Sequence, residues 1–198
     1  MIAVTGANGY VGGRLLAYLR DQGSDAIGLV RRPAAGDPRA RPFALAAPLD
    51  PSVLDGVDAV VHAAYDLSCR GREVRAVNFE GSLPLLEAVA SRGARTVLIS
   101  SLSAFEGARS DYGQTKLALE GAVLERGGAV VRPGLVFGRD AGGLFGALAT
   151  TIPRQLLTPL VGGGGQRLFV THDRSLCELV AAIVGGREHA AGPLFAAH

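Results

Sequence analysis

The chain is nearly without lysine. Lysine and arginine together number 20 in 198 residues, and all but Lys116 are arginine. Cysteine is scarce too: Cys69 and Cys177 are the two present. No metal or redox spacing relates them, so free or buried thiols of a reduced compartment are expected. No apolar run approaches the ~18 residues that cross a bilayer, and Met1 leads straight into a strand pattern rather than a leader. A cytoplasmic protein with no membrane partner is the expectation. Charge is not concentrated either. The net charge is +2 with the arginines scattered, which argues against a nucleic-acid partner. What remains is an ordinary globular composition, 48% hydrophobic, of a size that suits one domain, residues 1–198, with a full core.

Short apolar runs alternate with amphipathic stretches. Strands are expected at Ile2–Thr5, Ala26–Val30, Ala59–His62, Thr96–Ser100, Ala129–Val131 and Arg167–Val170. Four of these are near-continuous in apolar residues, as strands covered on both faces require. Helical spacing occupies Val11–Asp21, Arg72–Ser91, Thr115–Glu125 and Ser175–Val184, with Pro84 a point where the second would kink. Arg31–Pro42 and the glycine-rich Val161–Gln166 read as loops. The alternation implies an α/β fold, a doubly wound parallel sheet.

The lone lysine stands four residues after Tyr112. Four tyrosines make that placement about a 2% chance event, so it carries weight without deciding anything. On a helix the two share a face. A compact ammonium there favours the phenolate and lowers a phenol pKa from about 10, which suits a tyrosine acid/base. The second signal is Gly6-Ala7-Asn8-Gly9-Tyr10-Val11-Gly12 after the first strand. In a chain with 28 glycines about half such a match arises by chance, but its place between a strand and a helix lets the backbone approach a pyrophosphate. At the end of the second strand, Arg31 and Arg32 replace the acidic residue that would select NAD. Two guanidiniums suit the 2′-phosphate of NADP, so NADP(H) is favoured over NAD(H). Arg14 is a further guanidinium near the same place. Arg70, Arg72 and Arg75 read as a solvated helix face, and His172 with Asp173 as a helix start.

These pieces together resemble the short-chain dehydrogenase/reductase superfamily, in its extended or atypical branch, the NAD-dependent epimerase/dehydratase-like group. The matching segments run in order: Thr5–Gly12, Asp58–Ala64, Asn78 within Val-Asn-Phe-Glu-Gly, Val97–Ser101, Tyr112-x-x-x-Lys116 and Arg132–Gly138. The resemblance implies a Rossmann-type sheet with a truncated C-terminal substrate-binding portion, its elements within 139–198. It implies hydride transfer between a nicotinamide and a small-molecule carbonyl or alcohol, with Tyr112 as acid/base, Lys116 lowering its pKa and holding the nicotinamide ribose, and a serine bonding the substrate oxygen. That serine is Ser101 by alignment on the strand, with Ser103 a rival in a register slipped against Gly107. Cofactor contacts implied are Gly6, Asn8, Gly9, Tyr10, Val11, Gly12, Arg31, Arg32, His62, Ala63, Ala64, Asn78, Ser100, Lys116, Pro133 and Val136. At His62 the backbone is expected to matter more than the ring. No metal ligands are expected.

Three departures stand out. Only ten residues separate Ser101 from Tyr112, shorter than in many relatives that handle nucleotide sugars. Asp50 is displaced from the adenine-contacting position. Thr171–Gly185 and Pro193–Phe195 resemble a late helix and a final strand, and the substrate site is expected to be small, open or completed by a homodimer partner. Two other functions compete with a reductase: a nucleotide-sugar epimerase or dehydratase with tightly bound NAD, and a non-catalytic NAD(P)-binding sensor.

Overall fold

The structure, a computed structural model, describes residues 1–139, 168–188 and 192–197. The loop expected at Val161–Gln166, Arg167 and much of the segment expected to bind substrate lie outside them.

Seven parallel strands form the main sheet. They are β1 (Ile2–Thr5), β2 (Ala26–Val30), β3 (Ala40–Pro42), β4 (Ala59–His62), β5 (Arg95–Ile99), β6 (Ala129–Pro133) and, last in the chain, β9 (Leu194–Ala196). Their order across the sheet is β3-β2-β1-β4-β5-β6-β9. β7 (Leu135–Phe137) and β8 (Val170–His172) pair with each other. Among the described residues the helices are α1 (Tyr10–Asp21), α2 (Arg72–Asn78), α3 (Leu83–Ser91), α4 (Asp111–Leu124) and α5 (Asp173–Val184). The expected Rossmann-type sheet is present.

Side chains alternate across the strands, so each strand feeds two cores. Val4, Val61, Val97 and Val131 face α1 and α5, meeting Leu15, Leu19, Leu176, Val180 and Ile183. Ala3 and Val60 face the other way with Leu85 and Val89 of α3, and Leu98 and Val130 join Leu86 and Leu119 there. Each buried leucine or valine stabilises the fold by about 1.5–3 kcal/mol.

Four expectations are corrected. Residues 31–42 are not all loop: Ala40–Pro42 adds β3 at the sheet edge, pairing Leu29 with Arg41 and Val30 with Pro42. An edge position tolerates a proline that lacks an N–H. The helix expected over 72–91 is two, broken by a 3-10 turn at Glu80–Ser82. Gly81 lies so close to Ala46 that a Cβ would sit 2.5 Å from its nitrogen. Pro84 falls in the first turn of α3, where a missing N–H costs nothing. α4 begins at Asp111 rather than Thr115, because the Ser110 hydroxyl accepts the Gly113 N–H and caps it. The last strand before α5 is Val170–His172, and the cap of α5 is the His172 ring accepting from the Arg174 N–H at 3.2 Å, not Asp173.

Candidate active site

β1 has β2 on one side and β4 on the other. Sheet growth reverses here, so the connections leaving β1 and β4 part and open a crevice at their carboxyl ends. Gly6 turns the chain after β1 with φ +66, and a Cβ there would lie 2.9 Å from the Ala64 backbone. The Gly9 N–H bonds the Gly6 carbonyl at 2.8 Å. Gly9 then caps α1 with no side-chain acceptor, and no acidic residue occupies the first turn. The helix N-terminus thus keeps its donors and its positive end for an anion. Gly12 serves packing: a Cβ would sit 2.3 Å from the Gly6 carbonyl oxygen.

The crevice is a cavity of about 580 Å³. Gly6, Asn8, Gly9, Arg31, Ala63 and Ala64, all expected from the sequence, line it. Phe43–Leu45 and the loop Tyr65–Ser68 complete the wall. Asp66 is held ionised below the ordinary carboxylate range by hydrogen bonds from Ser68, with a smaller contribution from Arg31.

The other expected cofactor residues lie outside this cavity, each for a physical reason. Arg32 is exposed beyond it. The Tyr10 hydroxyl donates to Asp173 at 2.8 Å. Arg14 reaches the same carboxylate at 3.3 Å and stacks on Tyr10, so both dock α1 onto α5. Val11 and Val136 pack against the core under those helices. The Asn78 amide is spent on the chain: its oxygen accepts the Asp66 N–H at 2.6 Å and its nitrogen donates to the Asp66 and Val74 carbonyls, both at 3.1 Å. It braces the cavity wall from behind. The Ser100 hydroxyl is buried and donates to Glu120, a carboxylate also gripped by Arg132 through Nε at 2.8 Å. Pro133 is buried, and its carbonyl accepts the Leu102 N–H at 3.1 Å.

His62 is fully buried. The Thr5 hydroxyl accepts N–H groups from Ala63 at 3.1 Å and Ala64 at 3.0 Å. With its acceptor sites filled, it donates to His62 Nδ1 at 2.9 Å. The ring proton is therefore on Nε2, 3.0 Å from Ser82 Oγ, and Ser82 donates in turn to the Asn78 carbonyl at 2.7 Å. Burial, helped by the Lys116 charge, drops the imidazole pKa to about 3. The ring is a neutral strut behind the crevice.

Tyr112 and Lys116 lie one turn apart on α4, but the sequence-based expectation of a lysine-lowered phenol is corrected. The ammonium donates to the Ile99 carbonyl at 2.7 Å. It stands 4.9 Å from the centroid of the Tyr65 ring and 6.0 Å from that of Tyr112. Burial raises the Tyr112 pKa, and the Ser101 hydroxyl beside it pulls the other way. Burial also lowers Lys116 to about 8 against an opposing pull from Glu120. Of the two candidate serines, Ser101 is the one beside the phenol, while exposed Ser103 donates its backbone N–H to Ser101 Oγ at 3.1 Å. Gly113 lets this serine loop cross the first turn of α4, since a Cβ there would sit 2.3 Å from the Ser103 carbonyl oxygen.

A second cavity of about 210 Å³ adjoins Tyr112, lined also by Asp111, Cys69 and Arg70 among others. Arg70, taken from the sequence as solvated, also donates to the Leu67 and Cys69 carbonyls at 2.7 Å. Tyr65 belongs to both cavities. Sequence reasoning missed it, although it directly follows the Asp58–Ala64 segment. It equally missed Phe43–Leu45, where the one available signal was the apolar side chains after β3.

Comparison with known proteins places this geometry. The model of the NAD dependent epimerase/dehydratase family matches residues 2–167. A ceramide reductase of Caulobacter vibrioides is 33% identical over 153 residues, covering 70% of this chain and 47% of that protein. The chain thus spans less than half the length of that relative. Among solved structures, MoeE5 in complex with UDP-glucose and NAD superposes with a TM-score of 0.84 at 24% identity, covering 99% of this chain and 75% of that one. A UDP-glucuronic acid 4-epimerase from Bacillus cereus in complex with NAD gives 0.81 at 18% identity, covering 99% and 78%. At these identities the structures speak for the fold.

Proposed function

The chain belongs to the NAD dependent epimerase/dehydratase family, and on that premise we propose that it is an NAD(P)-dependent enzyme of the hydride-transfer type, with Tyr112 as its acid/base. The sheet takes strands from residue 2 to residue 196, which supports treating residues 1–198 as one dinucleotide-binding unit. One observation carries the functional reading. Tyr65 lines the cavity behind the glycine turn, and the Tyr65 ring touches Tyr112 with centroids 4.9 Å apart. The acid/base is therefore one ring away from a cleft whose helix N-terminus suits a pyrophosphate.

The residues present fit such a cofactor. Gly6, Asn8 and Gly9 would hold the pyrophosphate, and Arg31 would meet the adenosine ribose end. When bound, the nicotinamide gives or takes the hydride. The remaining work falls to the chain. Tyr112, with its pKa raised by burial, is a phenol at neutral pH and is suited to give a proton to a carbonyl oxygen. Ser101 would bond that same oxygen and stabilise its developing charge. Lys116 would hold the nicotinamide ribose.

Within this chemistry we favour a reductase of small-molecule carbonyls using NADP(H). Arg31 in the cavity wall supports it, because a guanidinium fork suits a 2′-phosphate, and so does the ceramide reductase relative. The second reading, a nucleotide-sugar epimerase or dehydratase that keeps NAD bound, fits the family as well or better. Absorbance and mass analysis of the purified protein separate the two. Protein free of dinucleotide that binds NADPH and oxidises it with a carbonyl panel supports the reductase. Stoichiometric bound NAD, with turnover of nucleotide sugars, overturns it in favour of the epimerase.

A further inference from the structure

Tyr65 stands where the two cavities meet, and its surroundings are unusual for a residue that merely fills space. Its ring meets that of Tyr112 in a T-shaped contact at an interplanar angle of 71°. Its face receives the Lys116 ammonium at 4.9 Å. Its hydroxyl is buried with no hydrogen-bond partner among the described residues. The Thr115 hydroxyl faces it closely enough to act on its pKa, but without hydrogen-bonding geometry, and burial pushes the phenol up to about 12. Lys116 is 3% exposed and lines neither cavity.

Two physical points follow. Phenylalanine would give the same ring packing and the same cation–π contact without burying an unsatisfied oxygen. A turn of the ring into the cavity would return that hydroxyl to a polar setting. Second, the ring lies between the ammonium and the cavity wall, so any group entering the larger cavity meets Tyr65 before it meets Lys116. The loop carrying Tyr65 is anchored behind the ring by Asn78 through the Asp66 backbone, which leaves side-chain rotation as the motion required.

We propose that Tyr65 is a positioning residue of this site: its ring screens Lys116 from the larger cavity, and it turns aside to admit a ribose hydroxyl to Lys116, gaining a hydrogen bond for its own hydroxyl. The part concerning the ribose rests on reading the larger cavity as the dinucleotide site; the screening does not.

The lone lysine makes the screening measurable. With a small acylating reagent at pH 8.5, mass spectrometry reports Lys116 against the Met1 α-amine as an internal reference. Tyr65→Ala is expected to acylate Lys116 at least about tenfold faster than the wild type, while Tyr65→Phe, which keeps the ring, stays within about twofold. Thermal melts confirm that the variants are folded, and Tyr65→Leu replaces Tyr65→Ala if the latter is not. Wild-type reactivity of Lys116 in a folded variant without the ring overturns the screening. A parallel titration with NADPH and NADH tests the second part. Tyr65→Phe has no hydroxyl to reward the turned position, so the dinucleotide that the wild type binds should bind it at least about threefold more weakly. Equal affinity overturns that part. Should the wild type bind neither dinucleotide, the cofactor reading and the ribose step fall together, and the acylation rates still decide the screening.

Discussion

Lys116 and Ile99 are joined by a 2.7 Å hydrogen bond from the ammonium to the carbonyl that ends β5. The bond ties α4 to the strand that delivers Ser101, and it fixes the ammonium 6.0 Å from the centroid of the Tyr112 ring. Burial holds Lys116 at about 8, below its ordinary 10.5. A base with a depressed folded pKa binds fewer protons folded than unfolded between those values, so its contribution to stability rises with pH across that window. Chemical denaturation at pH 7 to 10.5 should show Lys116→Met more stable than the wild type at pH 7. The difference should shrink as pH climbs from 8 to 10.5.

His62 works in the acid range. Its folded pKa is about 3 against 6.5, again depressed, so the stability it contributes is complete above 6.5 and is lost as pH falls toward 3. Protonating it breaks the chain from Thr5 to Ser82 and places a second cation near Lys116. The loss is on the order of a few kcal/mol. Acid titration followed by circular dichroism should show a shallower decline between pH 6.5 and 3 for His62→Gln, from a lower starting stability.

Gly113 separates a structural requirement from a chemical one. An added Cβ would lie 2.3 Å from the Ser103 carbonyl oxygen and 3.0 Å from the Ala108 side chain. Gly113→Ala must displace the serine loop or the first turn of α4, at about 1–3 kcal/mol. Because Ser101 and Tyr112 sit on those two pieces, turnover should fall at least about tenfold even where the variant is fully folded. Dinucleotide affinity should hold.

The two arginines after β2 are expected to differ. Arg31 lines the cavity and Arg32 does not. Arg31→Ala should weaken NADPH binding about tenfold and leave NADH nearly unchanged, whereas Arg32→Ala should alter both less than about threefold. Calorimetric titration of both variants with both dinucleotides reads this directly.

Features set by neighbours in sequence were legible in it. The apolar runs gave β1, β2 and β4 to the residue, and the glycine turn with the chain ends at Arg31, Ala63 and Ala64 pointed to one cavity, because strand ends in a parallel sheet converge. What the sequence did not show depended on distant partners. Tyr10, Asn78 and Ser100 carry polar groups that suit a ligand, yet each is satisfied inside the protein, by Asp173, Asp66 and Glu120 respectively. Tyr65 was invisible for the same reason in reverse: its meaning lies in Tyr112 and Lys116, which only the fold brings to it. The edge strand Ala40–Pro42 was hidden by Arg41 and Pro42, residues an edge admits and a central strand would not.

The account turns on Tyr112 moving a proton beside a bound dinucleotide. Tyr112→Phe, compared with the wild type for dinucleotide affinity and for turnover of the best substrate found, tests it most directly. The account predicts affinity within about twofold and turnover reduced by about 10²–10⁴. Turnover at the wild-type level in a variant that still binds the dinucleotide would contradict it.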